Sequence, residues 1–170
     1  EQIDSLSNMA SEFSDFAKMP EDKFLPFNIS KIMEGTIDLF KQSENIAVRA
    51  KVAPEIYVNA DPEQVRRIFN NLIKNAIQAI PENKQGTLEI QLVGLKKSVK
   101  ITIKDNGSGI SEANYSKVFV PNFSTKNSGM GLGLAICRKI TESTDGTISF
   151  VSEVNKGTTF TVTLPRIENN

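Results

Sequence analysis

The apolar positions of this 170-residue chain change period several times, and each change marks an element. Residues 1–19 carry Ile3, Leu6, Ala10, Phe13 and Ala17, alternately three and four apart, until Pro20 ends the pattern. This is the spacing of a coiled-coil seam or of an ordinary amphipathic helix. "FLPFNIS" predicts a short strand and residues 30–42 a helix, while "NIAVRAKV" and "EIYVNA" predict a strand pair split by Pro54. The clearest helix covers residues 61–80. Asp61 is its N-cap, Pro62 takes the first helical position, and Gln64 completes an Asp-x-x-Gln capping box. Val65, Ile68, Phe69, Leu72, Ala76 and Ile80 fall on one stripe, and Pro81 stops it.

A period of two then takes over. Leu88, Ile90 and Leu92 share a face, as do Val99, Ile101 and Ile103, with a turn near Gly94. A polar, proline-bearing stretch leads to a helix that opens at a glycine cluster and runs to about residue 142. "GTISFVS" and "GTTFTVTLP" predict a hairpin alternating through Ile148 and Phe150, then Phe160, Val162 and Leu164. Helices interspersed among such strands predict an α/β sandwich, with helices on one face of a mostly antiparallel sheet.

Composition narrows this modestly. Hydrophobic residues make up 39% and charged residues 24%, a globular balance, and the formal net charge is zero, so no global field draws nucleic acid to the chain. A single cysteine, Cys137, forms no internal disulfide and suits a reducing cytosol. With no histidine either, a structural zinc site is not expected. There is no 18-residue apolar run and no signal peptide. The chain opens "EQIDSL" without methionine and reads as a fragment of a longer protein, cytoplasmic itself but with room for a membrane anchor elsewhere in the parent.

Three stretches carry candidate chemistry. In "KNSGMGLGLAICRKI", Gly129, Gly131 and Gly133 run into a helix, an arrangement that suits phosphate because helix N-termini favour anions. It is not the dinucleotide fingerprint, which needs glycine at Leu134, nor a P-loop, since no Lys-Ser or Lys-Thr pair follows. In "VKITIKDNGSGI", Asp105 shares parity with the core-facing residues 99, 101 and 103 and so points inward. A carboxylate there needs donors, and an adenine amine is one; a local Asp-Asn-Gly turn is the alternative. Gly107 and Gly109 would let backbone approach a flat base. Asn71 and Asn75, at i and i+4, flank the stripe of the 61–80 helix, and an amide oxygen suits Mg²⁺; surface asparagines are the alternative.

Taken in order, "NNLIKNAIQAI", "DNGSGI", "VFVPNFSTK" and "GMGLGLAI" resemble the N box, the first glycine box, the F box and the second glycine box of the sensor histidine kinase ATP-binding domain. That domain (HATPase_c) belongs to the GHKL superfamily, with gyrase, ATP-driven chaperones and MutL. "EFSDFAKMP" and "NFSTK" resemble the nitrogen-regulation, NtrY/NtrB-like, subgroup. The resemblance implies a two-layer Bergerat-type sandwich over residues 26–166. Residues 1–20 would be the C-terminal part of a dimerisation helix region, and 167–170 a tail.

The resemblance also implies roles. Asp105 would accept from the adenine amine, Asn75 would ligate Mg²⁺ and Asn71 would lie beside the phosphates. Gly107, Gly109 and Ile110 would shape the base pocket, with Thr158 bonding near adenine. Lys126 would reach the phosphates from a lid anchored by Phe119 and Phe123. Gly129, Gly131, Leu132 and Gly133 would present backbone to them. Hydrolytic relatives carry a glutamate where Asn71 stands, and an amide cannot take a proton. The implied function is therefore transfer of the γ-phosphoryl of Mg·ATP to a histidine on a dimerisation helix that this chain does not carry. The implied partners are that helix, a response regulator receiver domain and a second kinase copy. Arg67 departs from the family, standing where many such kinases have glutamine. Two other functions compete: an ATP-hydrolysing clamp, and a nucleotide-binding scaffold without kinase activity.

Overall fold

The structure is a computed structural model that describes residues 14, 23–41, 45–123 and 131–168. The helical pattern expected over residues 1–19 lies outside the described residues, apart from Ser14. Among the described residues the order is β1 (Leu25–Asn28), α1 (Ile29–Phe40), β2 (Ile46–Val52), β3 (Tyr57–Ala60), α2 (Pro62–Ala79), β4 (Gly86–Gly94), β5 (Ser98–Asp105), a short 3-10 segment (Glu112–Lys117), α3 (Gly133–Ser143), β6 (Thr147–Glu153) and β7 (Gly157–Pro165).

Five strands form one sheet in the order β2-β4-β5-β7-β6, and only the β2–β4 pair is parallel. The period-two pattern explains its two faces. Leu88, Ile90 and Leu92, then Val99, Ile101 and Ile103, then Phe160, Val162 and Leu164 are buried against the helices. The intervening Lys100 and Lys104 are exposed on the other side. This is the expected two-layer α/β sandwich, with its helices on one face of a mostly antiparallel sheet.

One expectation fails. The segments "NIAVRAKV" and "EIYVNA" do form strands, but they do not pair with each other. β2 runs parallel to β4, and β3 pairs antiparallel with β1 in a separate two-stranded sheet. The cause is local. Ser30 Oγ at the start of α1 donates to the Ala53 carbonyl at 2.6 Å and accepts from the Ile56 N–H at 3.2 Å. This ties down the Pro54 connection and occupies groups a hairpin would use. Parallel neighbours need a crossover, and the path through β3 and α2 supplies it.

α2 forms as its sequence predicts, with one difference at its start. Asp61 Oδ1 accepts from the N–H groups of Glu63 (2.9 Å) and Gln64 (3.3 Å), and Oδ2 from Lys23 N–H at 2.9 Å. The reciprocal half of the capping box is not made, because the buried Gln64 Oε1 has no hydrogen-bond partner. Val65, Ile68, Phe69, Leu72, Ile73 and Ala76 bury the inner stripe. Each large apolar side chain among them contributes roughly 1.5–3 kcal/mol. α3 packs antiparallel beside it, so Cys137 Sγ–H points at the Ile68 carbonyl, 3.8 Å away. No helix among the described residues is long and apolar enough to cross a membrane.

Candidate nucleotide site

α2, the loop after β5, the start of α3 and the β6–β7 hairpin enclose a cavity of about 730 Å³. Its floor is set by the end of β5. Asp105 is buried, 3% exposed, in the same parity as Val99, Ile101 and Ile103. Its Oδ1 accepts from the Gly107 N–H at 2.7 Å and from the Thr158 N–H at 3.3 Å. The local turn and the inward orientation therefore coexist: the Asx-type bond to Gly107 holds the carboxylate on the cavity side. Asn106 fixes the same turn from outside, accepting from Thr87 N–H at 2.9 Å and donating to the Gln85 carbonyl at 3.1 Å. Lys84 Nζ donates to the Asn106 carbonyl.

The loop after Asp105 is clamped on both sides. The Ser108 N–H donates to the Ala79 carbonyl at 2.9 Å, which satisfies an orphan acceptor at the end of α2. Asn155 N–H in the β6–β7 turn donates to the Ser108 carbonyl at 2.8 Å. Gly109 has φ +71°, and a Cβ there would lie 2.1 Å from the Glu153 carbonyl oxygen. Ser152 Oγ links the next residues, accepting from Ile110 N–H at 2.8 Å and lying 2.8 Å from Thr158 Oγ1.

The opposite wall is α2 with the first turn of α3. Asn71 Nδ2 donates to the Gly133 carbonyl at 3.3 Å, and Asn75 lines the cavity one turn further along. Gly131 has φ +64°, and its backbone lies against Phe123, whose carbonyl oxygen would be 2.2 Å from an added Cβ.

The structure thus brings Asn71, Asn75, Asp105, Gly109, Ile110, Phe123, Gly131, Leu132, Gly133 and Thr158 to one cavity. Gly107 and Phe119 stand behind its walls. A Cβ on Gly107 would be 2.5 Å from the Ala79 carbonyl oxygen, so its place is set by packing on α2. Phe119 packs edge-on against Phe150 (5.9 Å between centroids) and Phe160 (6.4 Å), with the Arg138 guanidinium 6.0 Å from its ring. Lys126 and Gly129 lie outside the described residues. Arg67, Lys74 and Gln78 also line the cavity, and their residue types alone suggest no role. Their spacing of −4, +3 and +7 from Asn71 is the signal that places them on its helical face.

Cys137, beside this wall, is fully buried, and burial pushes its thiol up to about 12. It is a protonated packing group at neutral pH.

The donor set fits a magnesium nucleotide. The cavity offers a buried carboxylate at one end, amide oxygens on α2 and the N-terminal turn of a helix opposite. Among the described residues no group of three or more His, Cys, Asp or Glu side chains could hold a metal alone. A cation here would take an amide oxygen and complete its shell with water and phosphate oxygens, as Mg²⁺ does.

Comparisons with known proteins agree with this geometry. Residues 60–168 match the family described as histidine kinase-, DNA gyrase B-, and HSP90-like ATPase. Sporulation kinase B of Bacillus subtilis (strain 168) is 31% identical over 167 residues, covering 96% of this chain and 39% of that protein. The chain therefore spans well under half the length of this curated relative. The catalytic domain of histidine kinase ThkA superposes with a TM-score of 0.75 at 32% identity, covering 85% of this chain and 96% of that one. A structure of histidine kinase ThkA with response regulator protein TrrA has a TM-score of 0.80 at 25% identity, covering 97% and 49% of the respective chains. With described residues of all four boxes lining one cavity and the catalytic-domain fold matched almost end to end, this chain belongs to the histidine kinase-, DNA gyrase B- and HSP90-like ATPase family, in its histidine kinase branch.

Proposed function

We propose that this domain binds Mg·ATP and donates the γ-phosphoryl to a histidine on a dimerisation helix outside this chain. The observation that carries the proposal is the absence of a base. Among the described residues lining the cavity, Asp105 is the only carboxylate, and its Oδ1 is held by two backbone N–H groups at the base end. Asn71 stands beside the start of α3 and cannot take a proton from water. Such a cavity suits positioning of a phosphoryl group for an external nucleophile.

In this mechanism Asp105 orients the base, with Thr158 and the Ser152 hydroxyl network behind it. Asn75 would hold Mg²⁺, with Asn71 alongside; the metal would neutralise charge on the phosphates. The turn at Gly131–Gly133 would direct backbone toward the phosphates, with Phe123 beneath it and Lys126 reaching in. These side chains bind and orient, and water is excluded by the apolar lining of Ile110, Val118 and Phe160.

The domain boundaries follow: residues 26–166 form the ATP-binding domain, 1–20 the end of a dimerisation helix region and 167–170 a tail. The partners would be a histidine-bearing helix of the same kinase in a homodimer, and a response regulator such as the one ThkA is seen with. "EFSDFAKMP" and "NFSTK" favour an NtrY/NtrB-like subgroup within the histidine kinases, although the relative described above is a sporulation kinase. We place the domain in the cytoplasm, where ATP and a reduced cysteine are available.

The test is to incubate the chain with γ-labelled ATP, Mg²⁺ and a separately produced histidine-bearing helix pair from a related kinase. Label should reach the helix pair and not this chain, which has no histidine. Rapid release of inorganic phosphate without the helix would favour the hydrolytic clamp. Tight ATP binding with no transfer would favour the scaffold.

A further inference from the structure

Among the described residues, three charged ones line the cavity along α2: Asp105 at one end, Arg67 at the other, and Lys74, which is exposed, between them. Asp105 lies at the C-terminal end of that helix, where the Ala79 carbonyl anchors the Ser108 N–H at 2.9 Å. Arg67 lies twelve residues towards its N-terminus, ~18 Å away at 1.5 Å per residue. Between them, on the same face, come Asn75 and then Asn71. Asn71 is tied to the Gly133 carbonyl, so Arg67 is one turn beyond the contact between α2 and the start of α3.

Two adjacent arginines behave differently here. Arg66, equally half-buried, does not line the cavity and pairs with Glu63, Nε to Oε1 3.6 Å. Arg67 is half-buried, lines the cavity, and among the described residues has no carboxylate within ion-pair reach. Its guanidinium is close enough to the Cys137 thiol to favour the thiolate, an influence smaller than burial, which places it along the flank of α3. A cation that has no acid to neutralise it among the described residues, at the end of a cavity remote from the only carboxylate among its described lining residues, is matched by an anion. The guanidinium fork is shaped for phosphate oxygens.

We infer that Arg67 binds the terminal phosphoryl group of the triphosphate, so that this site distinguishes ATP from ADP by a charge contact at the N-terminal end of α2. The inference rests on the nucleotide reading of the cavity and adds a residue to it. Arg67 thereby becomes a specificity-determining residue, absent from the roles implied by the family resemblance. ADP, ending one phosphate short, would leave the guanidinium in water.

The experiment is calorimetric titration of the whole chain with ADP and with the non-hydrolysable analogue AMPPNP, both with Mg²⁺, for wild type, Arg67→Gln and Arg67→Lys. Thermal melts establish that each variant is folded. The Gln variant should lose about tenfold or more in AMPPNP affinity, the range for a hydrogen bond to a charged group, while ADP affinity stays within about twofold. The Lys variant should recover part of the loss, because it restores charge without the fork. An unchanged AMPPNP-to-ADP ratio in both variants, or an equal loss for both nucleotides, overturns the assignment of Arg67 while leaving the nucleotide site standing. Wild type that binds neither nucleotide overturns the nucleotide reading and this inference with it.

Discussion

The two glycine clusters of the cavity look alike in sequence and are built for different reasons. In "DNGSG", an added Cβ on Gly107 would meet the Ala79 carbonyl oxygen at 2.5 Å, and one on Gly109 the Glu153 carbonyl oxygen at 2.1 Å. Both are demanded by the protein's own backbone. In the second cluster, Gly131 is demanded in the same way by φ +64° and the Phe123 backbone. Gly133 is not: its Cβ would meet nothing nearer than Asn71 Cγ at 3.7 Å, ordinary contact. The fold has room for a side chain at 133. If glycine is needed there, the need comes from what the site binds. One cluster closes the floor of the cavity by packing, and the other leaves a gap at the mouth of α3.

Four substitutions would break or sharpen this contrast. The largest effect should come from Gly109→Ala, which meets both a left-handed backbone and a carbonyl oxygen; we expect a loss of about 3 kcal/mol or more in unfolding free energy. A denaturant midpoint equal to wild type would show that the loop yields easily and that the floor is not rigid. Next is Asp105→Asn, which keeps an acceptor for Gly107 and Thr158 but removes the charge. Nucleotide affinity should fall by about 1.5–3 kcal/mol, and equal calorimetric affinities would remove Asp105 from the base site. Asn75→Ala should cost about 1 kcal/mol of nucleotide binding with Mg²⁺ present and little with EDTA. The same loss in both buffers would show that Asn75 acts without the metal. The smallest stability effect belongs to Gly133→Ala, within about 1 kcal/mol of wild type and towards higher stability, since alanine is the better helix former. AMPPNP affinity should nevertheless drop several-fold. Undiminished binding would mean that the gap at 133 is not used.

Local signals make much of the fold legible. Asp61, Pro62 and an unbroken apolar stripe specify α2 without help from the rest of the chain, and strict alternation fixes the faces of β4, β5 and β7. The parity of Asp105 with Val99, Ile101 and Ile103 is enough to carry it to the cavity side. Pairing is not legible for β2 and β3, because it depends on partners about thirty residues away for β3 (Val58 faces Phe27) and forty for β2 (Val48 faces Leu88), and on Ser30, which occupies the connection between them. The reciprocal half of the capping box is likewise not legible: Gln64 Oε1 is buried without a hydrogen-bond partner, and nothing in the Asp-x-x-Gln spacing marks that outcome. In the site, the boxes point to Asn71, Asn75 and Asp105. Arg67, Lys74 and Gln78 escape notice because a cation or amide on a helix usually faces solvent; Lys74 and Gln78 are indeed exposed, and only the packing of α3 and the β5 loop makes the surface they share with Arg67 the wall of a cavity. Gly107 and Phe119 show the reverse. The resemblance gives Gly107 a part in shaping the base pocket and Phe119 the anchoring of a lid, and in the structure both stand behind the cavity walls.

The strand order has a consequence for how the molecule is made. β7 is the last of the described strands to leave the ribosome, yet it lies between β5 and β6 and carries Thr158 to Asp105. Until residues 157–165 have emerged, β5 has one open edge and β6 has no partner in the sheet. A nascent chain can therefore hold its helices and the β4–β5 hairpin while the cavity floor is still missing. Such late, non-local closure slows folding and leaves two strand edges exposed during synthesis, at about 5–20 residues per second. Nucleotide binding would then become possible only once the sheet is complete, so that a growing chain cannot engage its ligand before the domain is whole.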